Sequence, residues 1–228
     1  MAAPEAILFD LWGTLVPGIP PSVRDAVSHG MAADLGVDGV AFAAAYRESY
    51  RDRFTGALGT LEETVMTLAR RCGGDPDPGA ITHAAGRRLE LTGRLLRSDA
   101  ATLAVLDELR SRGTPLALVS DSSAEVPALW PASPLSRRIA VAVFSCVVGA
   151  RKPDPTIYLH AVRRLGVDAR QCLYVGDGGG GELTGAAALG MDVCRLRVTG
   201  DAPPDRYDDD AAFDGPEITS LAGVLGRV

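Results

Sequence analysis

The chain is short of lysine, of histidine and of any metal-type cysteine spacing. Of its 23 basic residues, 22 are arginine and one, Lys152, is lysine. The three histidines, His29, His83 and His160, have no triad or ligand spacing and are expected to be surface or packing residues. Cys72, Cys146, Cys172 and Cys194 form no CxxC pair, which excludes the usual zinc and redox motifs. Three of them sit in apolar, strand-like contexts, so the set reads as reduced core residues. No apolar run approaches the roughly 20 residues of a membrane helix, and Met1–Glu5 lacks the basic start of a signal peptide. With a net charge of −6 the chain carries no basic footprint for nucleic acid or an anionic membrane. The expectation is a cytoplasmic protein, monomer or homodimer, whose partner is a small molecule.

What is present is ample apolar content, 46% of 228 residues, enough for a sizeable core. Residues 5–10 read as a buried strand, since parallel strands covered on both faces are continuous apolar runs. Pro17, Gly18, Pro20 and Pro21 then break the pattern. The period changes to that of helices: one from a Ser22 cap to about Leu35, closed by Gly36; a second over Val40–Phe54; a third opened by a Thr60/Glu63 capping box; a fourth from about Pro78 to Arg97. Residues 17–97 are thus four consecutive helices, inserted after the first strand.

From Ala100 helices and strands alternate. A helix ends at Gly113 and a strand follows to Ser120-Asp121. Residues 139–148 form a long apolar run. Asp154-Pro155 opens a helix to about Leu165, a strand ends at Gly176-Asp177, a helix covers Glu182–Leu189, and Val193–Leu196 is a further strand. This alternation means βαβ units and a parallel sheet, an α/β fold. The acidic Asp208-Asp209-Asp210 reads as a solvated loop.

Three strands thus end in polar groups: Asp10, Ser120-Asp121 and Asp177. In open α/β sheets ligands collect at the carboxyl ends of the strands. Lys152, just before a helix, can reach the same edge. Two close carboxylates repel unless a cation lies between them, and paired hard oxygens suit Mg²⁺. An ammonium, compact beside a planar guanidinium, suits a phosphoryl group and an ionised Asp10.

In this order the motifs resemble those of the haloacid dehalogenase-like (HAD) hydrolase superfamily, over nearly the whole chain. Ile7–Thr14 matches the first motif, hhhhDxDGT, except at one position. Leu118-Val119-Ser120 matches the second, Arg151–Pro155 the third, and Gly176-Asp177 to Glu182 with Gly185-Ala186 the fourth. The resemblance implies a Rossmann-like core over 1–16 and 98–228, with 17–97 as a four-helix cap of the C1 type. It also implies an aspartyl-phosphate route, with Asp10 as nucleophile. Ser120 and Lys152 would act on the phosphoryl group, and Asp121 and Trp12 would lie along the substrate. Mg²⁺ would be held by Asp10, the carbonyl of Trp12, Asp177 and, through water, Glu182. The cap would exclude water and choose a small phosphorylated substrate.

Trp12 departs from the pattern. Phosphatases of the family usually carry a second aspartate there, the acid for the leaving group. Positioned acid–base catalysis is worth typically about 10²–10⁴-fold, so ordinary monoesters are expected to turn over slowly. Two other readings follow. Metal-independent dehalogenases have an aromatic residue at this position but lack the Gly-Asp start of the fourth motif. A non-enzymatic HAD scaffold would have lost the acid and kept the fold.

Overall fold

The first strand, β1 (Ala6–Phe9), lies at the middle of the sheet and explains its own sequence. All four side chains are fully buried, Ile7 and Phe9 in one apolar cluster, Ala6 and Leu8 in another on the opposite face. The computed structural model describes residues 3–197, 210 and 213–228. The remaining strands are β2 (Leu116–Ser120), β3 (Val141–Phe144), β4 (Cys172–Gly176), β5 (Asp192–Leu196) and a two-residue β6 (Glu217–Ile218). All pair in parallel, in the order β3-β2-β1-β4-β5-β6. The chain leaves β1 toward β3 and later returns to build outward from β4, so the order reverses between β1 and β4. The expected α/β parallel fold is therefore present.

Between β1 and β2 stand α1 (Pro21–Leu35), α2 (Gly39–Glu48), α3 (Tyr50–Phe54), α4 (Leu61–Arg71), α5 (Pro78–Leu95) and α6 (Ala100–Ser111). The short α7 (Glu125–Leu129) and α8 (Ser145–Val148) follow β2 and β3, and α9 (Pro155–Leu165) and α10 (Glu182–Ala188) flank β4. Leu106 and Leu109 of α6 cover one sheet face; Ile157, Tyr158 and Ala161 of α9 and Leu183 and Ala186 of α10 cover the other. Of the first five helices, α1, α2, α4 and α5 form a core of their own around Met31, Phe42, Leu61, Val65, Leu68 and Ala84. No described helix is long and apolar enough to cross a membrane.

Local chemistry accounts for most boundaries. The Thr60/Glu63 capping box is formed in both directions: the Thr60 amide donates to Glu63 and the Glu63 amide to Thr60. Asp154 caps α9 with Pro155 in the first turn. Ser22 does not cap α1, which starts at Pro21, where the ring presets the helical φ. The helix expected over Val40–Phe54 breaks at Ser49, giving five helices where four were expected. The Ser49 hydroxyl donates to the Tyr46 carbonyl (2.8 Å) and accepts from Arg53 Nε (3.0 Å), competing with the helical ladder. The apolar run 139–148 is strand only to Phe144 and then turns into α8.

The acidic stretch needs a larger correction. Asp208 and Asp209 lie outside the described residues, but Asp210 is buried, not solvated. Its carboxylate accepts from the amides of Leu183 (2.5 Å) and Thr184 and from the Thr184 hydroxyl (2.6 Å), satisfying the start of α10 from a distance. The histidines are exposed, as expected. Cys172 and Cys194 are buried in strands, while Cys72 and Cys146 are half-buried; all four are free thiols.

Candidate active site at the carboxyl edge of the sheet

Register brings the predicted residues together. Phe9 is level with Leu118 of β2 and Val175 of β4, so Asp10, Ser120 and Asp177 leave three adjacent strands at one edge. Asp10 and Asp177 flank the reversal of strand order, the place where open sheets keep their ligands. The Asp10 amide donates to the Val175 carbonyl at 2.9 Å, which fixes its backbone. The chain then folds back at once, with the amides of Leu15 and Val16 donating to the Leu11 carbonyl. Gly13 holds this turn at φ +78°, and a Cβ there would lie 2.2 Å from Asp177 Oδ2. Only glycine allows that approach.

Lys152 is the hub. The loop after α8 delivers it, 3% exposed, and its ammonium donates to Asp10 Oδ1 and to Glu182 Oε2 (2.5 Å), with the Tyr174 hydroxyl 3.5 Å away. The lysine amide donates to Asp121 Oδ1 at 2.9 Å. Glu182 is fully buried: Oε1 accepts from the Gly178 amide (2.9 Å) and Oε2 from the Tyr174 hydroxyl (2.8 Å). Its carboxylate lies directly over Gly176, where a Cβ would stand 2.1 Å from Oε1. Ser120 is fully buried at the end of β2, its hydroxyl making one long contact, 3.5 Å, to the Asp121 carbonyl. Trp12 is half-buried against the apolar cluster beneath the turn.

Oxygens of Asp10, Asp177 and Glu182 lie within 4.8 Å of one another. Three carboxylates around one ammonium leave negative charge in excess, and their titration reflects it. Burial pushes Asp10 up to about 6 against the pull of Lys152, with Asp177 adding repulsion. Burial and Glu182 raise Asp177 to about 7, and burial and Asp10 raise Glu182 to about 7. Burial disfavours the Lys152 ammonium, but Asp10, Glu182 and Asp121 outweigh it and hold it charged well above its ordinary range. Such a set of hard oxygens fits a divalent cation of the Mg²⁺ type.

Sequence reasoning missed the tyrosines. Tyr174 is the one polar tip in the apolar run Cys172–Val175, and a buried phenol needs a partner, which was the available signal. Tyr158 donates from α9 to the Glu182 carbonyl at 2.9 Å. The contacts between the first five helices and the rest were also unforeseen: Arg53 reaches the Ser123 hydroxyl (3.4 Å), Arg88 pairs with Glu125 (2.8 Å), and Arg151 lies over the Tyr50 ring.

A family model described as haloacid dehalogenase-like hydrolase matches residues 4–190. The chain belongs to the haloacid dehalogenase-like hydrolases. It is 28% identical to glyceraldehyde 3-phosphate phosphatase of Methanopyrus kandleri, over 97% of each chain. It is 30% identical to the plasmid phosphoglycolate phosphatase of Cupriavidus necator, over 93% of this chain and 90% of the relative. Among solved structures, a HAD phosphatase from Thermococcus onnurineus superposes with a TM-score of 0.64 at 22% identity, covering 98% of this chain and 99% of that one. L-2-haloacid dehalogenases share the fold as well, so the fold does not choose between the two chemistries within the HAD hydrolases.

Proposed function

We propose that this HAD hydrolase is a Mg²⁺-dependent phosphatase of small phosphorylated metabolites, working through an aspartyl-phosphate on Asp10. The observation that carries the reading is the Asp10–Lys152–Glu182 array with Asp177 beside it: more carboxylates than one ammonium can balance, at the reversal point of the sheet. Asp10 and Asp177 would hold the cation together with the Trp12 carbonyl, and Glu182 would support it through water. When bound, Mg²⁺ neutralises phosphoryl oxygens. Lys152 engages Asp10 Oδ1 and leaves the other oxygen to attack phosphorus; Ser120 donates to a phosphoryl oxygen; water then cleaves the acyl phosphate. Residues 17–97 act as the cap, seated on the core through Arg53, Arg88 and Gly56, and Tyr50 and Arg151 stand at its inner rim. The two phosphatase relatives support substrates the size of glyceraldehyde 3-phosphate and phosphoglycolate.

Mg²⁺-dependent release of phosphate from acetyl phosphate, p-nitrophenyl phosphate and these two metabolites tests the reading, and it is lost if phosphate is released from none. Trp12 favours one alternative, attack of Asp10 on carbon. Halide release from 2-haloacids without metal would establish it in place of the phosphatase.

A further inference from the structure

Trp12 has no proton to give, yet an alkyl alkoxide leaves phosphorus poorly without one. Asp121 is placed to answer this. It is the first residue beyond β2, next to Ser120, 8% exposed and outside the Asp10–Asp177–Glu182 trio. Its Oδ1 is pinned by the Lys152 amide. Its Oδ2 lies 3.5 Å from Arg151 Nε and faces the glycine stretch 178–181, being 3.8 Å from where a Cβ on Gly180 would stand. None of those four residues carries a side chain, so only backbone stands opposite Asp121 there. The titratable groups facing this carboxyl are Lys152 and Arg151 from the loop before α9, Tyr158 from α9 and Tyr50 from α3. Burial holds the Asp121 carboxyl above its ordinary range, against the pull of Lys152 and Arg151.

We propose that Asp121 is the catalytic residue that protonates the leaving oxygen, in the place of the acid that Trp12 cannot supply. This rests on the phosphatase reading. The Asp10 oxygen bonds to phosphorus as the phosphorus–oxygen bond to the leaving group breaks. The electron pair goes to the leaving oxygen, which takes the Asp121 proton and departs as an alcohol. Asp121, now a carboxylate, takes a proton from the water that attacks the acyl phosphate, and the Asp10 carboxylate is released with inorganic phosphate.

The test compares kcat/KM, with saturating Mg²⁺, for p-nitrophenyl phosphate, whose phenolate leaves unaided, and for the better of phosphoglycolate and glyceraldehyde 3-phosphate. Asp121→Asn retains an acceptor for the Lys152 amide but has no acidic proton. Its kcat/KM for the alkyl phosphate should fall on the order of 100-fold, and that for the aryl phosphate by a much smaller factor. Equal losses on both substrates, or no loss on the alkyl phosphate, overturn the assignment. So does a wild type active on the aryl ester and on neither alkyl phosphate. A wild type that releases phosphate from none overturns the phosphatase reading, and the assignment with it. Should Asp121→Asn not fold, the wild-type pH profiles decide: the alkyl-to-aryl ratio of kcat/KM must fall as pH rises, and a flat ratio refutes the role.

Discussion

Two buried ionic clusters stand a short way apart in this molecule, and they are built on opposite terms. At the sheet edge, Asp10, Asp177 and Glu182 surround one ammonium, and each carboxyl is pushed up toward neutrality. Between the first five helices and the core, Glu125 faces two guanidiniums, Arg88 at 2.8 Å and Arg53 through the Ser123 hydroxyl. There burial raises the carboxyl, but Arg88 and Arg53 outweigh it and Glu125 ends below its ordinary value. The second cluster is balanced in charge by the protein's own guanidiniums and holds two parts together. The first is left short of positive charge, which is the condition of a site that takes a cation and a phosphoryl group.

Four perturbations break or sharpen that contrast. Asp10→Asn should remove turnover by a factor on the order of 10⁴–10⁶, the scale seen when a nucleophile is lost, without loss of stability; steady-state phosphate release and a thermal melt check both halves. Glu125→Ala should do the reverse, costing about 3–5 kcal/mol because the buried Arg88 guanidinium loses its partner. Urea unfolding measures it, and an unchanged midpoint would mean that the cluster is not a structural tie.

The third concerns pH. A carboxyl whose folded pKa is raised keeps a proton that the unfolded chain has already released, so it subtracts stability as pH climbs. For Asp10, rising from 3.8 to about 6, and for Asp177 and Glu182, rising to about 7, the window is roughly pH 4–7. A bound cation reverses this. Mg²⁺ at a hundredfold excess over its pH 8 Kd should therefore stabilise the fold by about 2.7 kcal/mol at pH 8, and the same concentration should raise the melting temperature less at pH 5. Equal shifts at both pH values would remove the argument from charge excess. Last, Tyr174→Phe removes one donor from Glu182 while Lys152 and Gly178 remain, and should cost about 1.5–3 kcal/mol, measurable by the same unfolding curves.

The contrast also marks what could be read from the residues alone. The sheet-edge cluster was legible because it is assembled from strand ends: a continuous apolar run closing on Asp10, another on Ser120, a third on Asp177, and one lysine in an arginine-rich chain. Parallel pairing then places them together without further information. The Arg53–Ser123 and Arg88–Glu125 contacts join residues far apart in sequence, and nothing local distinguishes those arginines from the exposed ones. The break at Ser49 was hidden for a related reason, since neither glycine nor proline marks it and the hydroxyl that causes it has a common local habit. Asp210 was misjudged from composition: three acids in a row suggested solvent, whereas the helix start at Leu183 and Thr184 needed an acceptor.

The most direct measurement is to quench the enzyme with acid during turnover of p-nitrophenyl phosphate and Mg²⁺, reduce with borohydride, and map the peptides by mass. The account predicts reduction of the Asp10 carboxyl to an alcohol, dependent on both substrate and metal. Phosphate turnover with Asp10 unmodified, or with the mark on another residue, would contradict it.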